Sequence, residues 1–433
     1  MPHVTEAMRQ IGVADHHSPC ERLKRAHAAA AGNLESNLER RMKNLTDDFG
    51  TGRRFKTAMI GGGKGAFFAG YHRAAMRLCN RFEIVAGAFS SDPGVSRAAG
   101  EALGVAPGRV YDSFSSLVES EAVRDDRMDV AVIVTSNHLH FEPCRLLLQR
   151  GIPVICDKPL VNALPEALEL RRLAEQEDTF FAVTYTYCGY PMVRDARARI
   201  KAGEIGDVRF MYVEYLLEWG ADDPSKLGTK GGIWRDDPAK AGPTGAMGDV
   251  GTHAFNMLEF LSGRRCSRLC ARLSRLAPGR VLEDTGVVQL DFEGGVEGLL
   301  WTSLAAPGHR NGLRFKVVGS KGTLEWAQEA PETLKLGRLA QGDVTYRRGL
   351  SDMTQEAASV VSLPAGNSEG YLEALAVLYA DFARALAAGP GWRTAVATPI
   401  PDIVEGVRGV ALSDAVVRSD RLREWVPFPD VDG

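Results

Sequence analysis

The chain has 433 residues, more than one hydrophobic core usually organises, so two domains plus an appendage are expected. A formal net charge of -3 leaves no broad basic field and argues against nucleic acid as the main ligand. No apolar run is long enough to span a bilayer, and the N-terminal stretch mixes Arg, Lys, Glu and His without the apolar core of a secretory signal, so a cytoplasmic enzyme is expected.

Residues 1–54 have helical tendencies over 20–31 and 34–45, broken at Gly32-Asn33, and read as an N-terminal extension. Its helical pair is expected to pack on the body or across a subunit boundary. From residue 55 short apolar runs alternate with helical stretches. Strands are expected over 55–60, 83–89, 129–135, 153–156 and 180–184, and helices over 70–79, 95–103, 114–119, 141–149 and 165–177. This alternation predicts an α/β domain over 55–185, a doubly wound parallel sheet with right-handed crossovers.

After Tyr185 the texture changes. A helix is expected over 191–202, a long strand over 208–219, a loop bearing glycine and proline over 220–247, and a helix over 249–261. The seven cysteines fit a reducing compartment rather than a disulfide framework. Cys266 and Cys270, the one close pair, lack partners for a zinc site and read as small packed side chains, so no metal is expected. Strands over 285–292, 296–304, 313–318 and 323–325, then helices over 371–388 and 403–419, predict an α+β domain over 186–433 with a large, mainly antiparallel sheet.

The first strand runs into Gly61-Gly62-Gly63-Lys64-Gly65-Ala66 and then a helix. Glycine permits a tight turn there and lets backbone N–H groups approach a pyrophosphate, with Ala66 at the place of the third glycine of a Rossmann fingerprint. Gly61, Gly63, Lys64 and Ala66 are the candidate dinucleotide-binding residues. The second strand ends at Ser90-Ser91-Asp92. Serine at the tip removes the carboxylate that would repel a 2′-phosphate, and Arg97 is placed to pair with one, whereas Asp92 before Pro93 also reads as a helix cap. NAD and NADP both remain open. Thr135, Asn137 and His140 follow an apolar strand, where polar side chains face the nicotinamide half of a cofactor. His138 beside them reads equally as part of an N-cap cluster.

Taking hydride from a secondary alcohol requires a base for the hydroxyl proton and a cation or donor for the charge developing on oxygen. His253 suits the first role, because its ordinary pKa lies near operating pH. Lys158, just past an apolar strand, suits the second. Asp249 is four residues before His253, on the same helix face, and is placed to hold the imidazole or the substrate. Each has a plainer explanation alone, as a turn lysine, an N-cap or a satisfied helix histidine. Their joint occurrence after a dinucleotide turn favours function.

With these residues the chain resembles the glucose-fructose oxidoreductase and inositol dehydrogenase (Gfo/Idh/MocA) family. The resemblance covers roughly residues 55–425. It rests on the strand-Gly61-x-Gly63 turn, Thr135-x-Asn137-x-x-His140, Asp157-Lys158-Pro159 for the family's Glu-Lys-Pro, Gly203-Glu204-Ile205-Gly206, and Gly248-Asp249-x-Gly251-x-His253. It implies an NAD- or NADP-dependent dehydrogenase in which Lys158, Asp249 and His253 match the catalytic lysine, aspartate and histidine. Asp157 and Lys158 then border the cofactor, and a cis proline often follows the lysine. It further implies pyranose or cyclitol substrates and homodimers or homotetramers built through the sheet of the second domain.

The chain also departs from the family pattern. Asp157 is shorter than glutamate, Asn256 stands where many relatives carry a second aspartate, and the stretch Ala66–His72 is similar to a branch that includes levoglucosan dehydrogenases. Tyr185, Tyr187 and Tyr190 at the domain junction, and Trp234, Arg235 and Asp236 in the loop before the 249–261 helix, are candidates to meet a sugar ring. Tyr187, Trp234 and Arg235 lead that group. Two other readings are an enzyme of the same fold that borrows and returns hydride while cleaving a glycoside or epimerising a centre, and a non-catalytic dinucleotide-binding sensor.

Overall fold

The computed structural model describes residues 53–223, 235–395 and 398–431, so nearly all of the predicted N-terminal extension lies outside the described residues. From Arg53 onward the chain forms one compact unit. Its first half is an α/β layer with strands β1 (Phe55–Ile60), β2 (Phe82–Ala88), β3 (Val130–Ile133), β4 (Val154–Cys156) and β5 (Phe181–Val183). Helices α1 (Phe67–Cys79), α2 (Pro93–Ala102), α3 (Phe114–Ala122), α4 (Phe141–Leu148) and α5 (Leu164–Gln176) connect them. The strands pair in parallel in the order β2-β1-β3-β4-β5. β3, β4 and β5 are buried at every position, as expected of short apolar strands covered on both faces.

The second half is built on a nine-stranded sheet: β6 (Val208–Leu216), β7 (Cys266–Ser274), β8 (Thr285–Phe292), β9 (Val296–Ser303), β10 (Gly312–Gly319), β11 (Gly322–Ala327), β12 (Thr333–Arg338), β13 (Val344–Arg347) and β14 (Val426–Pro427). Their order is β13-β12-β11-β10-β6-β9-β8-β7-β14, antiparallel except for the parallel β6–β9 pair. Helices α6 (Pro191–Lys201), α7 (Thr252–Ser262), α8 (Tyr371–Ala388) and α9 (Ile403–Leu422) complete the architecture. The sheet buries alternate residues, as in β8 where Val288, Leu290 and Phe292 face inward while Val287 and Gln289 face out.

Most predicted elements are present with ends displaced by a few residues. α1 begins three residues earlier than expected, at Phe67 rather than Gly70, and α9 continues to Leu422. Strands β7, β12, β13 and β14 were not expected. In β7 the exposed Arg268 and Arg272 flank the inward Leu269 and Ala271, so the run lacks the hydrophobic density of a strand read in isolation. Pairing with β8 and β14 supplies what local propensity does not. No helix among the described residues is long and apolar enough to cross a membrane.

α9 ties the two sheets together. Gly406 packs so closely on β5 that an added Cβ would lie 2.9 Å from Val183 Cγ2, and Ser419 Oγ accepts the Ala271 N–H of β7 at 2.9 Å. Between these contacts the buried Arg408 guanidinium grips Glu259 of α7 through both carboxylate oxygens, at 2.6 and 2.7 Å. The helix that carries His253 is thereby fixed from behind.

Candidate active site

In the parallel sheet β1 lies between β2 and β3, and the chain reverses its direction of winding there. Such a switch point leaves a crevice outside the carboxyl ends of the strands. Gly61 follows β1 with φ +88°, and a Cβ there would stand 2.9 Å from Thr135 Cγ2 at the end of β3. Gly63 donates its N–H to Phe89 O at 2.8 Å, and a Cβ at Gly63 would approach that oxygen to 2.9 Å. The glycine turn is thus pressed between two strand ends, and α1 starts after Ala66 with no side-chain cap on its first N–H groups. A tight glycine cradle leading into an uncapped helix N-terminus fits the pyrophosphate of a dinucleotide. Gly61→Ala is expected to weaken NAD⁺ binding by about 10-fold or more, because alanine meets both a strained φ and the Thr135 wall. A fluorescence titration of the variant with NAD⁺ checks this.

One cleft of about 1460 Å³ runs from this turn to the large sheet. Gly61, Gly63, Lys64 and Ala66 line one end, with Ser90 and Ser91 beyond them. Thr135, Asn137 and Asp157 line the middle, and Lys158, Tyr187, Arg235, Asp249 and His253 the other end. Arg97 does not line it. Its exposed guanidinium lies 3.6 Å from Asp112, and Asp92 caps α2 by accepting Val95 N–H at 2.9 Å. His140 also stands outside the cleft, buried behind its wall. Trp234 lies outside the described residues.

Lys158 follows β4 and precedes a cis bond to Pro159, as the resemblance implies. Its Nζ donates to Asp249 Oδ1 at 2.9 Å and to Asp249 O at 2.8 Å. Burial alone would raise the Asp249 pKa, but the Lys158 and Arg235 cations outweigh it and hold the carboxyl down at about 2. Asp249 sits in a π-turn over Met247–Gly251 that runs directly into α7. The expected single α-helix over 249–261 is therefore wound more widely at its start, a feature frequent where side chains are aimed into a site. Asp249 and His253 remain electrostatic neighbours.

His253 is buried, its ring set edge-on to Tyr187 at 4.9 Å and to Tyr185 at 5.6 Å between centroids, and its buried Nδ1 has no hydrogen-bond partner among the described residues. Burial first, and the Lys158 charge second, push its pKa well below the ordinary histidine value. At neutral pH the imidazole is uncharged and able to accept a proton.

Asp157 is turned back into the protein. One carboxylate oxygen accepts Lys158 N–H and Thr184 Oγ1–H, both at 2.8 Å, and the other faces His72 Nε2 at 3.7 Å. Burial opposes its charge, but His72 and Lys158 hold its pKa below the usual range. Asn256, at the place of the second family aspartate, accepts from Cys188 Sγ at 3.1 Å and does not line the cleft.

His140 braces this region. Its Nδ1 lies 3.0 Å from both Pro159 O and Leu160 O, and its Nε2 lies 3.1 Å from Thr135 O. Both ring nitrogens therefore face acceptors, which only the doubly protonated ring satisfies. Burial opposes that charge, but Cys156, Asp157 and the Thr135 carbonyl outweigh it and push the pKa up to about 9. A pKa raised in the folded state contributes stability below the ordinary histidine value that is lost as pH climbs through about 9. The melting temperature is expected to fall over that window in the wild type, and less steeply in His140→Gln.

Sequence reasoning missed the far wall, where Tyr215, Trp219, Glu283, Asn311 and Tyr371 line the cleft. These residues come from β6, its continuation, the β7–β8 and β9–β10 connections and the start of α8. No local spacing links them, so only the pairing of the large sheet brings them together.

Comparisons with known proteins show the family to which this fold belongs. Residues 55–185 match the model of an oxidoreductase family with an NAD-binding Rossmann fold, and residues 193–325 match that of the GFO/IDH/MocA C-terminal domain. An uncharacterised oxidoreductase of Bacillus subtilis, YfiI, is 33% identical over 377 residues, 86% of this chain and 96% of its own. Levoglucosan dehydrogenase of Pseudarthrobacter phenanthrenivorans is 26% identical over 71% of this chain and 82% of its own. The solved structure of an inositol dehydrogenase homologue from Azotobacter vinelandii, complexed with NADH and myo-inositol, superposes with a TM-score of 0.80 at 33% identity, covering 87% of this chain and 98% of that one. With its glycine cradle at the switch point of a parallel sheet and a large antiparallel sheet behind the cleft, the chain belongs to the Gfo/Idh/MocA family as an NAD(P)-dependent oxidoreductase.

Proposed function

We propose that the protein is a dehydrogenase that oxidises a ring hydroxyl of a sugar, glycoside, anhydrosugar or inositol, or reduces the corresponding ketone. The observation that carries this reading is the convergence of Lys158, Asp249 and His253 in the one cleft that also holds the glycine cradle. Bound nicotinamide supplies the acceptor for the hydride that leaves the carbinol carbon. His253, held neutral by its burial and by the Lys158 charge, takes the hydroxyl proton as the carbonyl forms. Lys158 stabilises the negative charge that builds on that oxygen. Asp249 keeps the lysine ammonium in place and offers its second oxygen, 3.8 Å from Arg235 Nε, toward the ring hydroxyls. In the reverse direction protonated His253 returns a proton to the oxygen as hydride reaches the carbonyl carbon, and Lys158 polarises the same oxygen.

The family and the relatives named above support a carbohydrate or cyclitol substrate. Thermal shift with NAD⁺ and with NADP⁺, followed by oxidation assays on pyranoses and cyclitols, tests the reading. Net formation of reduced cofactor supports it; conversion without such accumulation points instead to hydride borrowing. We further infer assembly as a homodimer or homotetramer through the outer face of the large sheet. There Val287 pairs with Trp301 and Trp301 with Glu214, leaving Val287 39% exposed, and light scattering tests this. Free thiols at the six described cysteines support a reducing compartment, the cytoplasm.

A further inference from the structure

Two buried phenols stand on the large-sheet side of the cleft, Tyr187 beside His253 and Tyr215 on β6. Their hydroxyls are hydrogen-bonded to each other, and Tyr215 Oη donates to Asn311 Oδ1 at 2.7 Å. Tyr187 Oη also approaches that oxygen, at 3.4 Å. Burial pushes both phenol pKa values up, so each carries a proton that needs an acceptor. The protons order themselves in one direction: Tyr187 O–H to Tyr215 O, and Tyr215 O–H to Asn311 Oδ1. The amide oxygen of Asn311 is therefore committed to the tyrosines.

The backbone of Asn311 is held as well, since Glu329 Oε1 accepts its N–H at 3.1 Å and that of Arg310 at 3.3 Å. Asn311 lines the cleft, and among the described residues no hydrogen bond occupies its Nδ2. A fixed amide with an occupied acceptor and two unused N–H donors at a cleft wall is built to bind an oxygen.

We propose that Asn311 is a specificity-determining residue: its Nδ2–H donors engage a hydroxyl or ring oxygen of a neutral polyhydroxylated ring, at an atom other than the carbon that loses hydride. This rests on the dehydrogenase reading above. Lys158 arrives from the end of β4 and Asn311 from the β9–β10 connection, so the two grip the ring from opposite sheets. Neutral N–H donors suit an uncharged hydroxyl or ring oxygen.

The test compares the full-length wild type, Asn311→Ala and Asn311→Asp with NAD⁺ or NADP⁺ on myo-inositol, levoglucosan and D-glucose, then on monodeoxy analogues of the best of these. In both variants KM is expected to rise about 10- to 100-fold with kcat changed only a few-fold, and NADH affinity to stay at the wild-type value. One monodeoxy analogue is expected to cost the wild type a similar factor while costing Asn311→Ala nothing further, since the donor that read the missing oxygen is already gone. Wild-type KM values in both variants, or the same deoxy penalty in Asn311→Ala as in the wild type, would overturn the assignment while leaving the dehydrogenase reading intact. A wild type that binds NADH yet oxidises none of these rings overturns both.

Discussion

Replacing Lys158 with methionine is expected to lower turnover by about 10²-fold or more while cofactor affinity is largely retained. The lysine ammonium donates hydrogen bonds to both the side chain and the backbone of Asp249, so its position is set by the protein before substrate arrives. Methionine keeps much of the apolar stem and removes the charge. Arginine is not expected to rescue, because a planar guanidinium cannot place one donor on Asp249 Oδ1 and another on the adjacent backbone oxygen in the space of a single Nζ. The variant also removes the main counter-charge of Asp249. A carboxyl held down at about 2 contributes stability above its ordinary value that is lost as pH falls toward 2, so Lys158→Met should shed part of the wild type's acid stability. Steady-state rates, an NADH titration and melting curves from neutral to acid pH measure all three effects. Unchanged turnover would remove Lys158 from the mechanism.

His253→Ala is expected to lose roughly 10²-fold or more in kcat, again with cofactor binding near wild type. The pH dependence makes this variant more informative than its rate alone. A base works in its neutral form, and burial together with the Lys158 charge keeps His253 neutral to well below its ordinary value. The acid limb of kcat/KM in the wild type should therefore lie below the usual histidine range, at lower pH than exposure would give. In His253→Ala that limb should disappear from the residual activity. A limb that persists at the same pH in the variant would assign it to another group and leave His253 a packing residue among Tyr185, Tyr187 and Tyr215.

The parallel sheet was legible because its strands are short, apolar and separated by helices of matching period, and because Gly61 and Gly63 sit where the chain must turn. Lys158, Asp249 and His253 were legible because each lies beside a local landmark, a strand end or a helix start. What escaped was nonlocal. The polarised string Tyr187–Tyr215–Asn311 joins residues from a short helical turn, a strand and a loop that only the register of the large sheet makes neighbours. Arg97 illustrates the opposite failure. Its distance from the strand tip is right for a phosphate ligand, yet Asp112 lies 3.6 Å from its guanidinium. The π-turn at Met247–Gly251 likewise has no local signature, since Asp249 and His253 keep the four-residue spacing of an ordinary helix.

The way α9 is shared by both halves limits how this enzyme can be taken apart. Its Gly406 face belongs to the nucleotide side and its Arg408 belongs to the His253 helix, although both come from the last few dozen residues of the chain. A chimera that exchanged only the nucleotide-binding half at residue 185 would leave the donor sheet seated against a foreign helix. Recombining cofactor and substrate preferences among relatives of this chain should therefore succeed only when the C-terminal helix travels with the nucleotide half or its contact residues are co-transplanted.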